Sequence, residues 1–213
     1  MEQRISAIEP QERRGNRRSI FVDGKFALGV DESVIADLGL HVGQAINADE
    51  LQDIVHAELV AKAKDRALGL LDYRSRSKAE VERRLTKAGF SDIIVTEVVE
   101  RIESLGLIDD AQFSQSWVKH RVLDKAMGKR RIMWELRQKG VPSEVADEAM
   151  SSIDDEAEYE AATQSAKRRW QKDSTSDLNA KRRKLIAYLQ RQGFGWDTIN
   201  RVVSSVTTDT EHE

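Results

Sequence analysis

The sequence predicts a mainly α-helical protein: three tandem three-helix repeats in an elongated curved array, preceded by a small N-terminal cap that contains a β-hairpin. Three observations predict it. A helix–glycine–helix pattern recurs three times with the same internal spacing. Two prolines, 6% aromatics and 33% charged residues suit a helical, well-solvated chain. One Asp-Gly dipeptide, Asp23-Gly24, joins two short β-prone runs near the N-terminus.

Residues 1–62 read differently from the rest. Arg18 to Val30 (RSIFVDGKFALGV) is a hairpin with a type I′ turn at Asp23-Gly24. Ile5 to Ile8 offers a third strand, and Gln11 to Arg17 a polar loop. Asp31 or Ser33 is placed to cap a short helix ending at Gly39. Gly43 marks a turn, and a helix begins at Asp49 and runs through Ala67 and Leu71. This piece is expected to cap the first repeat rather than to form a separate binding module.

Repeat one occupies 63–106, repeat two 107–153 and repeat three 154–206. In the first, Ala67, Leu68 and Leu71 supply the opening helix. Ser77 and Glu80 have capping-box spacing ahead of a stripe of Val81, Leu85 and Ala88, and Gly89 ends that helix. Aligning Gly89, Gly140 and Gly193 brings six apolar positions into register without a gap. They are Val81/Ile132/Leu185, Leu85/Leu136/Leu189, Phe90/Val141/Phe194, Val95/Ala146/Ile199, Val99/Met150/Val203 and Ile102/Ile153/Val206. A period of about fifty residues lies in the range of stacked helical repeats, which bury more together than alone. Trp117 and Trp170 fall on core stripes, and Trp196 is placed to staple the last helix. Lys172 to Asn179 is expected to be a long polar, mobile connector, and residues 207–213 a disordered acidic tail.

No catalytic constellation is present. The chain holds no P-loop, His-Glu-x-x-His or G-x-S-x-G motif and no cysteine. His41, His56, His120 and His212 are scattered. Asp109-Asp110, with Gln112 following, reads as a helix cap rather than a metal pair. No enzyme activity, cofactor or metal is expected. No apolar run approaches the roughly twenty residues of a membrane span, and the N-terminus lacks a signal-peptide apolar region. These features point to a cytoplasmic monomer with no membrane partner.

The net charge of −3 conceals a distribution. Residues 1–62 carry seven basic against eleven acidic residues, whereas the repeats are near balance with the basic ones clustered. The clusters are Arg74/Arg76, Arg83/Arg84/Lys87, Lys129-Arg130-Arg131 with Arg137, Lys167-Arg168-Arg169, and Lys181-Arg182-Arg183-Lys184. They serve either as solvated faces or as a polyanion-binding surface. Basic residues recur at the start of all three middle helices, at Ser77-Lys78, Lys129-Arg130 and Arg182-Arg183. Stacked repeats would line these up as a positive stripe able to follow phosphates or a ridge of carboxylates. Trp134 lies between Arg130 and Arg137, opposite Ile132 and Leu136. It suits stacking on a base or anchoring a partner, but a middle helix covered on two sides favours packing against a neighbouring repeat.

The blocks LLDYRSRSKAEVERRLTKAGF, LGLIDDAQFSQSWVKHR and GKRRIMWELRQKGV together resemble the RecX family, bacterial regulators of the RecA recombinase. Arg74, Arg76, Ser77, Leu85 and Gly89 match the first block. Ile108, Asp109, Asp110, Phe113, Trp117 and Arg121 match the second, and Gly128, Leu136 and Gly140 the third. The resemblance spans roughly residues 63–206. The β-prone N-terminus and the stretched connector of repeat three depart from it. It implies tandem three-helix repeats and binding in the groove of the RecA–DNA filament. It also implies restraint of that filament's ATPase, strand-exchange and coprotease activities in recombinational repair and the SOS response. The basic clusters, with Arg121 and Trp134, are then the expected contacts to RecA or directly to single- or double-stranded DNA. An array that touches several filament subunits would gain through linked contacts. The rival reading is a helix-turn-helix transcriptional regulator, against which three nearly equal repeats argue. A helical scaffold without a nucleic-acid partner is the third.

Overall fold

A computed structural model describes residues 3–11 and 16–209 of the chain. Three strands, β1 (Ile5–Pro10), β2 (Arg17–Val22) and β3 (Lys25–Asp31), form an antiparallel meander in the order β1-β2-β3. Asp23 and Gly24 both have positive φ (48° and 76°), the backbone that a type I′ turn demands. Ile5, Ile20, Val22 and Val30 are buried together with Val34, Leu51 and Val55 to form the cap's core. β1 runs to Pro10, two residues beyond the expected strand. Arg17 belongs to β2 rather than to a loop, and residues 12–15 of that loop lie outside the described residues. Helix α1 (Glu32–Asp37) is capped by Asp31, whose carboxylate accepts from the Ser33 N–H at 3.1 Å.

Helix α2 (Ala48–Tyr73) is one continuous helix capped by Asn47, two residues ahead of the expected start at Asp49. It carries the expected boundary at 62/63 in its middle. Leu51 and Val55 belong to the cap's core, while the same helix packs against α4 in the first repeat. The chain folds as two compact units. One holds residues 1–74 with 81–105; the other holds 75–80 with 106–213.

The middle and last helices are α3 (Lys78–Lys87) and α4 (Asp92–Ser104) in repeat one. Repeat two is α5 (Asp110–Leu123), α6 (Lys129–Gln138) and α7 (Ser143–Ser151). Repeat three is α8 (Asp155–Lys172), α9 (Leu178–Arg191) and α10 (Trp196–Asp209). The protein is thus mostly helical, with three three-helix repeats after a small sheet. All three middle helices end in the same Schellman motif. Phe90, Val141 and Phe194 donate back to Leu85, Leu136 and Leu189, and Gly89, Gly140 and Gly193 donate to Thr86, Arg137 and Gln190. Each glycine has the positive φ (97°, 76° and 87°) that makes it the economical residue there. Every side chain at the six aligned positions is buried except Phe90, which is half-covered. Repeats two and three share one core, from Phe113 to Val206.

Several details differ from expectation. Ala88 is exposed, because the helix has already turned into its glycine cap. Trp196 is the first residue of α10 and 51% exposed, so Phe194, 1% exposed, closes that corner instead. The third connector shrinks to 173–177, because α9 starts four residues upstream of Arg182 with Asp177 as its cap. Asp173 anchors this connector by accepting from the Thr175 N–H and hydroxyl. Those bonds, with Lys184 and Arg169 nearby, hold its carboxyl below the usual range. α10 continues through Thr207 to Asp209, with the Thr207 hydroxyl returned to the Val203 and Ser204 carbonyls. The expected tail therefore does not begin at 207, and residues 210–213 lie outside the described residues.

Candidate interaction surface

The starts of the middle helices are where the repeats are joined. Gly128, just ahead of α6, donates its N–H to the Gln192 carbonyl at 2.9 Å, and the Arg130 N–H donates to the Gly193 carbonyl at 3.1 Å. The orphan donors of one helix N-terminus thereby meet the exposed carbonyls at the next repeat's helix C-terminus. Arg131 extends the join, with Nη1 reaching the Arg191 carbonyl at 3.5 Å and Gln192 Oε1 at 3.2 Å. The approach is so close that a Cβ on Gly128 would stand 2.4 Å from Gly193 C, and one on Gly193 would stand 2.4 Å from Arg131 N. The preceding join repeats the arrangement. Ser77, which aligns with Gly128, donates its hydroxyl to the Lys139 carbonyl at 2.6 Å. The Glu80 N–H is capped by Ser77 Oγ at 3.2 Å, while the Glu80 carboxylate faces the Lys139 ammonium at 3.4 Å.

Asp109 and Asp110 are both caps, on different helices. Asp109 accepts from the Gln112 N–H at 2.9 Å, as its spacing predicts, and Asp110 accepts from the Lys78 N–H at 2.9 Å. Beside them lies a half-buried cluster on Trp117. Phe113 stacks on the indole at 5.7 Å, and the Arg121 guanidinium and Lys139 ammonium each stand 4.1 Å from its centroid. Glu135 accepts from Trp117 Nε1 at 3.1 Å and from Arg121 Nε at 2.6 Å. Glu135→Ala strands both donors in a part-buried setting. It is expected to cost about 2 kcal/mol, read as a lower urea midpoint, and to shift Trp117 emission. An unchanged midpoint would show the cluster to be passive.

These contacts sort the predicted site residues. Arg76 is 5% exposed and inside the fold. Arg121 is held by Glu135 and Trp117, Lys129 pairs with Asp155 at 3.1 Å and Glu158 at 3.7 Å, and Arg131 serves the join. Arg169 lies beside Asp173 (3.6 Å) and over Tyr188, Lys181 lies over Trp170, and Lys184 donates to Thr175. Arg74 is half-buried, whereas Arg83, Arg84 and Lys87 of α3 are exposed. So are Arg130 and Arg137 of α6, Lys167 and Arg168 of α8, and Arg182 and Arg183 of α9. Trp134 is 60% exposed, which corrects the expectation that it packs against a neighbouring repeat. Arg130, Trp134 and Arg137 stand at i, i+4 and i+7, one continuous face of α6. Sequence reasoning missed Glu135 and Lys139, whose only signal was their charge, and read Glu80 as half of a capping box without its Lys139 partner. His56 and His120 pair with Glu97 and Asp124 on the surface. Among the described residues there is no cluster suited to a metal and no helix long and apolar enough to cross a membrane.

Comparison with known proteins matches this architecture segment by segment. Residues 3–47 match the N-terminal domain of regulatory protein RecX, and 63–101, 109–150 and 156–203 match its first, second and third three-helix domains. The β-containing cap, expected to depart from the family, is therefore part of it. Regulatory protein RecX of Clostridioides difficile is 30% identical over 98% of both chains, and that of Bacillus subtilis 28% identical over 98% of this chain and 79% of its own. A crystal structure of regulatory protein RecX superposes with a TM-score of 0.67 at 26% identity, covering 94% of this chain and 98% of its own. With all four domains present and near-complete coverage by relatives, the chain belongs to the RecX family of regulatory proteins.

Proposed function

We propose that this chain is a non-catalytic cytoplasmic regulator that binds the RecA–DNA filament and restrains its ATPase, strand-exchange and coprotease activities during recombinational repair and the SOS response. Its membership in a regulatory family supports the reading, and one observation carries it: an exposed tryptophan framed by two exposed arginines on α6. Aromatic and arginine side chains of this kind dominate binding energy when a partner covers them. Arg83, Arg84 and Lys87 of the first unit are also exposed, as are Lys167, Arg168, Arg182 and Arg183 of the second. The filament is the partner this chemistry suits, since it presents both acidic protein and phosphates. A chain seated on it opposes the subunit motions that ATP turnover needs.

The helix-turn-helix rival gains nothing from the last helices of repeats one and two, where a recognition helix would lie. Helix α4 carries Glu97, Glu100 and Glu103, and α7 carries Glu144, Asp147 and Glu148, which repel phosphate.

The test is RecA ATPase on single-stranded DNA with added protein. Arg130→Glu/Arg137→Glu is expected to raise the half-inhibitory concentration at least tenfold, since both side chains point to solvent and their reversal leaves the fold intact. Inhibition that survives unaltered would remove α6 from the interface, and no inhibition by the parent chain would overturn the reading as a whole.

A further inference from the structure

The joins between repeats follow a rule: the N-terminal turn of one middle helix seats on the glycine turn that closes the next middle helix. The glycine turns of repeats two and three are filled in this way, by the Ser77 hydroxyl on the Lys139 carbonyl and by the Gly128 and Arg130 N–H groups on the Gln192 and Gly193 carbonyls. The turn of repeat one has no such plug among the described residues. Among the described residues, no hydrogen bond reaches the carbonyl of Ala88 or Gly89. A Cβ on Gly89 meets nothing within 4 Å, whereas the same atom on Gly193 runs into Arg131 at 2.4 Å. Phe90 is also the one aligned core residue left half-covered.

The space in front of this turn is a cleft of about 660 Å³ within the first unit. Ala88 to Ser91 form one wall, and Arg17, Asp31 and Lys62 are among the residues of the other. A volume of this size is that of a ligand site rather than a packing defect.

We propose that this cleft is a docking socket for the N-terminal turn of a helix from another protein, one that opens on glycine or serine followed by lysine or arginine. The chemistry is that of the two filled sockets. Carbonyls at the negative end of α3 call for N–H or hydroxyl donors and for positive charge. Glycine or serine permits the close approach, and the plugs are Ser77-Lys78 and Gly128-Lys129-Arg130. A second copy of this chain does not fit. The equivalent end of its own array, α9, is extended by a turn and capped by Asp177, whose carboxylate would face the carbonyls. The free chain therefore does not grow head to tail through this socket.

The probe is a helix-stapled peptide copying residues 127–139, labelled and titrated by fluorescence anisotropy with the full chain. Binding in the micromolar to low-millimolar range is expected. Ala88→Trp, which fills the cleft from an exposed position, should weaken it at least tenfold. So should valine in place of glycine in the peptide, and a peptide copying 177–191 should not bind. Circular dichroism of Ala88→Trp checks that its fold is kept; if it is not, Ala88→Lys, which puts a cation against the same carbonyls, takes its place. Absence of binding, or binding indifferent to the filled cleft, overturns the proposal. Sedimentation showing self-association of the parent chain that Ala88→Trp abolishes would also overturn it, by making a second copy the occupant. RecA takes no part in the assay, so its result is independent of the filament reading.

Discussion

Gly193→Ala is expected to destabilise the second unit by about 3 kcal/mol or more, the range of the most damaging single changes. Two costs combine. A non-glycine residue at φ +87° carries about 1–2 kcal/mol of left-handed strain. Its Cβ would also lie 2.4 Å from Arg131 N, against backbone that has no rotamer to escape into. Relief requires the N-terminus of α6 to back away, which weakens the Gly128–Gln192 and Arg130–Gly193 hydrogen bonds at about 1 kcal/mol each. Gly89→Ala is the control, because its φ of +97° brings the same strain while its Cβ meets open space. That change should cost only about 1–2 kcal/mol. Trp117, Trp134, Trp170 and Trp196 all lie in the second unit, so urea denaturation followed by tryptophan fluorescence reads Gly193→Ala there. Hydrogen exchange at α3 and α4 reads Gly89→Ala. Equal losses at the two sites would sink the account of how the repeats join.

This contrast also marks what the sequence was able to disclose. The three repeats were legible because apolar spacing and a glycine stop are local signals, and every aligned position but Phe90 is buried accordingly. The Asp23-Gly24 turn and the Asp31 and Asp109 caps were legible for the same reason. The joins were not, since Gly128 and Gln192 are far apart in sequence and the contact depends on bare backbone and a missing Cβ. The fate of individual arginines was also hidden. Arg121 is held by Glu135 of α6 and by Trp117 one helical turn away, and nothing in a run of charged residues ranks that partner above solvent. The basic starts of the middle helices were read as an outward stripe. Arg130, Arg182 and Arg183 are exposed, but Lys129 and Arg131 face the acidic side chains and carbonyls of the following repeat, where a helix C-terminus favours positive charge. Trp134 was misjudged in the other direction. α6 has ten residues and buries only Ile132 and Leu136, so its far side stays open to solvent.

That open side of α6 is where the second large effect is expected. Trp134→Ala should raise the concentration needed to inhibit RecA ATPase by about tenfold to thirtyfold, corresponding to about 1.4–2 kcal/mol for an interface anchor. Its effect on stability should stay within about 0.5 kcal/mol, because 60% of the side chain already faces solvent. Trp196→Ala is the matched comparison: that indole is 51% exposed but stands on α10 beside Asp197, on a different helix from the Arg130–Trp134–Arg137 face, and its loss should leave inhibition unchanged. Salt then separates the two surfaces that a filament offers. If Arg130 and Arg137 each neutralise a phosphate of single-stranded DNA, reversing them flattens the plot of log affinity against log salt by roughly 0.7 per contact. If they meet carboxylates of the protein in a short-range, water-poor contact, affinity falls with little change of slope. Trp134→Ala should weaken binding without altering the slope in either case, since it removes contact area and no charge. Loss of inhibition on mutating Trp196 but not Trp134 would place the anchor on repeat three and reverse the assignment of the α6 face.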